Sequence, residues 1–298
     1  MKKLLLSILL LTCSLTGLAK EYKFFIANAA GSGGADTVVR QIADIYHKKT
    51  GDYLVPTNAP GGNNIIAATA FKSDSKNHIS LIGISSTMLV WNMLKPMPYS
   101  DADFNVIGEL GDSPFFYFAN TPSGISTPRD LTPQLNRSTN IFVGIADTSS
   151  NISLLNKFVN PAITPIMYKS PTDIILGVLS NSVQVGCVSG AIVQLEELEK
   201  SGKIKIIGTT FPRPLKVNDK WIPSLPQELA VTQFNGYVGI AITPGDTAEH
   251  KQLITDIQTI LKSNEIQDLI ASLQYKSTGK EAKDFILDLR KRVENASK

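Results

Sequence analysis

Between Ala27 and Arg40 the chain reads ANAAGSGGADTVVR, after the apolar run Tyr22-Lys23-Phe24-Phe25-Ile26 and before a segment with helical spacing of its apolar residues. A glycine-rich turn from strand to helix leaves backbone N–H groups uncovered at a helix N-terminus, where the helix dipole favours an anion. A Rossmann fingerprint needs G-x-G-x-x-G/A, but Asp36 stands where the third small residue belongs, and its charge would repel a pyrophosphate. A P-loop needs Gly-Lys-Ser/Thr, and no lysine follows these glycines before Lys48. Two readings remain open: a turn whose glycines only permit positive φ, or a cradle for a small anion such as a carboxylate.

Catalytic groupings are weaker. Gly83-Ile84-Ser85-Ser86-Thr87 follows an apolar run but has Thr87 where a nucleophile elbow closes on glycine. The three histidines, His47, His78 and His250, show no metal-ligand spacing, and the contexts of His47 and His250 suggest solvated helix faces. Neither a metal nor a cofactor is expected. What recurs is a set of small or hydroxylated turns after strands. The first holds Ala29, Ala30, Gly31, Ser32, Gly33, Gly34 and Asp36, and a second runs from Asn58 to Asn63. Ser85, Ser86 and Thr87 form the third, and Asp147, Thr148, Ser149, Ser150 and Asn151 the fourth. In parallel α/β sheets ligands bind outside the carboxyl ends of the strands, where such turns gather. Tyr168 and Phe115 to Tyr117 are candidate walls, although burial in the core is the commoner fate of such residues.

These turns must be held by an α/β scaffold. Apolar runs predict strands at Tyr22–Ala27, Tyr53–Thr57, Ile79–Gly83, Phe115–Ala119, Asn140–Ile145, Thr164–Tyr168, Val183–Val188, Lys203–Gly208 and Gly236–Ile242. Helical spacing falls between them at Ala35–Lys49, Asn63–Lys72, Ser149–Val159, Pro171–Leu179 and Ala191–Lys200, and two or three helices follow Thr247. The alternation indicates mostly parallel sheets flanked by helices. Ser170-Pro171-Thr172-Asp173 carries a capping hydroxyl, a proline at the first helical position and an acid three residues after the cap.

The opening MKKLLLSILLLTCSLTGLAK has the charged start, apolar run and small-residue end of a secretory signal peptide, with cleavage expected after Ala19. Thr12 is a poor residue before a lipidated cysteine, which argues against a lipoprotein through Cys13. Loss of Lys2 and Lys3 from the 29 basic residues leaves 27 against 26 acidic ones, and Cys187 as the one cysteine. So balanced a chain lacks the basic footprint that nucleic acid or an anionic membrane surface requires. An exported protein without disulfides suits a bacterial periplasm, and its length suits two lobes.

In their order along the chain, these pieces resemble the solute-binding proteins of tripartite tricarboxylate transporters, the TctC or Bug family. The resemblance rests on Gly33-Gly34-Ala35-Asp36 with Arg40, the Asn58–Asn63 turn, Ile79–Gly83 with Ser85-Ser86-Thr87, Tyr168-Lys169-Ser170, Gly202–Lys205, and Gly236–Ala241 with Thr243-Pro244-Gly245. It implies a two-lobed periplasmic binding fold of type II, crossed twice by the chain, with the C-terminal helices returning to the first lobe. Lobe one would comprise 20–119 and 236–298, lobe two 120–235, with crossings near 120–124 and 233–236. It implies a monomer that closes on a small organic carboxylate (a di- or tricarboxylate, an amino acid or an aromatic acid) and delivers it to the permease subunits. The turns corresponding to 28–36 and 147–151 would hold that ligand. A ligand sensor on the same fold and an envelope hydrolase are the alternatives.

Three stretches depart from the family pattern: Lys76-Asn77-His78, Asp147, and Phe211 to Ser224. Asp147 inside a cleft would favour a ligand with an N–H donor, such as an amino acid; as a helix cap it would leave the ligand unaffected.

Overall fold

The computed structural model describes residues 19–31, 33–86, 88–89, 92, 96–131, 140–146, 162–189, 191–211, 213–217, 219–225, 236–277, 284, 286–287 and 290–291. Two five-stranded sheets carry the fold. The first contains β1 (Glu21–Ile26), β2 (Tyr53–Asn58), β3 (Leu81–Ser85), β4 (Asn105–Ser113) and β12 (Gly236–Ile242), in the order β2-β1-β3-β12-β4. The second contains β5 (Phe115–Asn120), β6 (Ile141–Ile145), β7 (Ile163–Met167), β8 (Val185–Ser189) and β9 (Ile204–Thr209), in the order β7-β6-β8-β5-β9. In each sheet three neighbours pair in parallel, and one strand, β12 or β5, runs antiparallel between the third and the last. Four of five strands therefore share a direction, and the odd strand is where the chain enters from the other half.

Strand alternation explains why both faces of each sheet are covered. Tyr22, Phe24 and Ile26 of β1 face one cluster with Val38, Ile42 and Tyr46 of α1 (Gly34–Thr50) and Leu253 and Ile257 of α5 (Ala248–Leu261). Phe25 points the other way, to Ala67, Ala68 and Phe71 of α2 (Ile65–Asp74). In the second sheet Phe116 and Phe118 meet Ile174 and Val178 of α3 (Pro171–Leu179) and Leu195 of α4 (Ile192–Lys200). Tyr117 and Ala119 face the opposite cluster. The helix α6 (Asn264–Ser272) buries Ile266 and Ile270 against the first lobe's core. The C-terminal elements thus return to the first sheet.

Every predicted strand exists to within a few residues, and so do the predicted helices within the described residues. The helix expected at Ser149–Val159 and the second crossing expected at 233–235 lie outside them. Three differences stand out. The strand β4 and the hairpin β10 (Leu215–Val217) with β11 (Lys220–Ile222) were not anticipated. Phe115–Asn120 belongs to the second sheet, so the chain leaves the first sheet between Ser113 and Phe115, ahead of the expected crossing at Asn120. His250, expected in solvent, is buried with Nδ1 2.7 Å from Thr247 Oγ1, its ring lying where a Cβ on Gly245 would collide.

Close packing in the second lobe depends on Gly186 of β8, where an added Cβ would strike the Phe118 ring, with Cε1 2.6 Å away, and Ile174 Cγ2 at 2.9 Å. Both neighbours are fully buried, so neither can swing aside. Gly186→Ala is expected to lower the unfolding free energy by about 1–3 kcal/mol, the usual cost of overpacking, read as a lower denaturant midpoint in urea.

Candidate functional site

The carboxyl ends of the strands in both sheets open onto one cleft of about 650 Å³. In the first sheet the chain turns outward on opposite sides of β1 and β3, and in the second on opposite sides of β6 and β8. Those two crevices are the topological switch points where open α/β sheets hold ligands. The cleft is lined there by residues 26–29 beyond β1, 83–86 at β3, Ala146 beyond β6, and 187–189 at β8.

Helix N-termini supply some of its polar groups, beside Asn28, Ser85, Ser86, Lys169 and Ser189. Gly33, Gly34 and Ala35 line the cleft at the start of α1, and Gly61, Gly62 and Asn64 line it ahead of α2. Neither helix has a side-chain cap, but the Ile65 N–H of α2 donates to the Gly62 carbonyl, so α1 is the more open of the two. A side-chain cap is also absent from α4, which follows the cleft-side end of β8, whereas α5 and α6 are capped by Thr247 and Ser263. Uncapped first turns leave orphan N–H groups, which water or an anion must satisfy. The remaining cleft-side helix, α3, is capped by Ser170, whose Oγ accepts from Asp173 N at 3.1 Å, as its sequence predicted. Asn64 Nδ2 donates to Ser85 Oγ at 3.0 Å and joins the α2 turn to β3.

Asp36 sits in the first turn of α1 and is only 1% exposed, yet it is not among the residues lining the cleft. Its carboxylate accepts from Gly31 N at 2.9 Å, Arg40 Nε at 2.9 Å, Arg40 Nη2 at 3.1 Å and Asn58 Nδ2 at 2.8 Å. Asn58 Nδ2 also donates to the Asn28 carbonyl at 2.9 Å, and Arg40 Nη2 donates to Asn58 Oδ1 at 2.7 Å. Burial pushes the Asp36 carboxyl up, but the hydrogen bonds from Arg40, Asn58 and Gly31, with the Arg40 charge, outweigh it and hold it below the usual range. Asp36, expected to touch ligand, instead ties the β1 loop, the end of β2 and α1 together.

The floor comes from segments far apart in sequence. Tyr275, following α6, lines the cleft, and its hydroxyl lies 2.7 Å from where a Cβ on Gly34 would stand. Burial raises its hydroxyl pKa to about 12, although a hydrogen bond with Ser113 opposes the shift. Ser113, at the end of β4, hydrogen-bonds Ser189 at the end of β8, so a polar chain joins the two sheets under the cleft. Sequence reasoning missed Tyr275, Ser113 and Ser189, because no local motif marks them.

Of the anticipated residues, Ala29, Gly33, Gly34, Ser85, Ser86 and Tyr168 line the cleft. Ala30 and Gly31 do not line it, and Gly31 instead serves Asp36. Ser32, Thr87, Asp147, Thr148, Ser149, Ser150 and Asn151 lie outside the described residues. Tyr168 directs its hydroxyl toward Gly177 of α3, into space an alanine side chain would fill, and packs partly against the second-lobe core. Phe115 lines the cleft, whereas Phe116 and Tyr117 are core. Lys169 and Asp173 line the second-lobe side. Among the described residues no cluster of His, Cys, Asp and Glu could hold a metal ion, and no helix is long and apolar enough to cross a membrane.

The sequence matches no protein-family model, and no curated protein sequence matches it. Solved structures do match. The periplasmic binding protein BugD superposes with a TM-score of 0.74 at 17% identity, over 93% of this chain and 95% of that one. MatC from Rhodopseudomonas palustris, with bound malate, gives 0.74 at 17% identity, over 93% and 99%. A second R. palustris protein, with adipate, gives 0.75 at 15% identity, over 94% and 96%. At these identities the likeness establishes the fold: this chain is folded as the Bug-type periplasmic binding proteins are, across nearly its whole length.

The Asp36 network yields a test. Its carboxyl pKa is depressed on folding, so its contribution is full above the ordinary carboxylate value of about 3.9 and is lost as pH falls through the lower folded value. Asp36→Asn is expected to cost about 1–3 kcal/mol near pH 7, trimmed because the Arg40 side chain is half exposed. Urea denaturation should show the gap between wild type and variant constant above about pH 5 and shrinking below about pH 4.

Proposed function

We propose that the chain belongs to the TctC or Bug solute-binding proteins and captures a small organic carboxylate in the cleft between its two sheets. The observation that carries this reading is the uncapped start of α1 at Gly34, which faces, with Gly61, Gly62 and Asn64 ahead of α2, a cleft that both sheets line. A carboxylate placed against the first-turn N–H groups of α1 gains charge-assisted hydrogen bonds without a buried arginine. Arg40, the cation nearest that turn in sequence, is already engaged by Asp36 and Asn58. Ile26, Val39, Phe115, Met167 and Val188 give the cleft apolar walls for the carbon skeleton of such an acid. Its volume lies within the ordinary range for small-molecule pockets. The malate and adipate held by two proteins of the same fold agree in ligand class.

On this reading the two sheets are lobes that hinge where the chain crosses after Ser113 and before Gly236. Closure excludes water and strengthens the hydrogen bonds to the carboxylate. The closed form presents the acid to the permease subunits of a tripartite tricarboxylate transporter, in a periplasm reached by cleavage of the segment ending at Ala19. The protein binds its ligand without converting it.

A thermal-shift panel of dicarboxylates, tricarboxylates, aromatic acids and amino acids, with the matching carboxamides, tests the reading. A ligand at 100 times its Kd adds about 2.7 kcal/mol, which raises the midpoint by several degrees. At least one acid should do so while its carboxamide does not. No response to any acid, together with steady turnover of an ester or amide panel, would overturn the proposal.

A further inference from the structure

At the opposite end of β1 from the cleft, a second cavity of about 380 Å³ lies among Lys20, Tyr22, Lys49, Asp52, Glu249 and Asp256. The backbone N of Lys20 donates to Asp52 Oδ1 at 2.8 Å, and its carbonyl accepts from Tyr53 N at 2.7 Å. Lys20 Nζ and the Tyr22 hydroxyl both donate to Glu249 Oε1 at 2.7 Å, and Lys49 Nζ donates to Asp256 Oδ1 at 2.8 Å. Three carboxylates thus meet two lysine ammoniums, and one carboxylate, Asp52, receives the main-chain nitrogen that follows Ala19.

We propose that this cavity is a seat for a processed amino terminus: hydrolysis of the Ala19–Lys20 bond creates an α-ammonium at Lys20 that pairs with Asp52 and balances the site. The inference rests on the cleavage position read from the sequence and is independent of the cleft's ligand. In the step, a signal peptidase adds water across the amide; Ala19 leaves with the carboxylate, and the freed Lys20 amine takes a proton. A nitrogen that was a single N–H donor becomes a charged group with three donors, while the pairing of Lys20 with Tyr53 holds it in place. A chain still carrying its leader offers Asp52 only the neutral N–H.

The charged and titratable groups around this nitrogen are Asp52, Glu249, Asp256, Lys49, Lys20 Nζ, Tyr22, Tyr46 and His47, the last with Nδ1 3.2 Å from the Asp52 carbonyl. Burial, followed by the Asp52 charge, pushes the Tyr46 hydroxyl up to about 12, so Tyr46 stays neutral through the range of interest. The neighbouring carboxylate raises the α-amine above its ordinary value of about 7.7–8.0. A raised amine stabilises fully below that ordinary value, and the benefit disappears as pH rises through the folded value.

The test compares three proteins: a chain beginning at Lys20, the same chain with Ala19 retained as its first residue, and the Lys20-start chain carrying Asp52→Asn. Residue-specific amine labelling against pH, read by mass spectrometry, should place the Lys20 α-amine above the ordinary range, and Asp52→Asn should return it there. At pH 6–7 the Ala19-retaining chain should unfold about 1–3 °C lower, and the gap should close above about pH 9. An α-amine that titrates in the ordinary range regardless of Asp52, or exported protein whose first residue is not Lys20, overturns the proposal.

Discussion

The buried carboxylate of Asp36 is the constraint on which the candidate site depends. A carboxylate removed from water must be paired and fully hydrogen-bonded, or it costs several kcal/mol. Here four donor contacts come from three places: the loop after β1, the end of β2 and the next turn of α1. The turn can adopt only the shape that brings these donors together. With Gly33 at φ 82 and Gly34 packed beneath the Tyr275 hydroxyl, Gly33, Gly34 and Ala35 at the start of α1 line the cleft. On the proposed reading, the acid that argues against a nucleotide is thus the group that shapes the turn for a smaller anion. Its own charge is matched by Arg40 and does not oppose one.

The rest of the architecture brings a second surface to those amides. Because β12 and β5 each run antiparallel inside a sheet of otherwise co-directional strands, the chain passes from one sheet to the other at the sheets' cleft-facing ends. The switch points of both sheets then face one space. The C-terminal segment completes the floor: Asp112 N and the Lys276 carbonyl pair at 2.7 Å, which places Tyr275 against Ser113. Through Ser113 and Ser189 the floor touches both lobes, so its geometry is sensitive to their relative position.

Much of this was legible in the sequence because its signals are local. The apolar runs of β1, β3 and β8, the Ser170-Pro171 start of α3 and the glycine turn before α1 each declare themselves within a few residues. β4 escaped because Gly108, Glu109, Gly111 and Asp112 break any apolar alternation. Those glycines have tertiary reasons, since a Cβ on Gly111 would lie 2.7 Å from the Lys276 carbonyl and one on Gly108 would strike Leu261. Asp36 was identified as part of the turn, but its direction is set by Asn58, 22 residues away. The floor formed by Tyr275, Ser113 and Ser189 joins positions that only the fold brings together, and the burial of His250 likewise depends on the bare backbone at Gly245.

The central claim is that a carboxylate binds at the first-turn amides of α1. Backbone amide NMR on isotopically labelled protein tests it most directly, by following Gly33, Gly34 and Ala35 as a binding acid and then its carboxamide are titrated. The account predicts large, saturable shifts of these three amides with the acid, and none of comparable size with the carboxamide. Saturable binding of the acid that leaves them unmoved while amides elsewhere respond would contradict it.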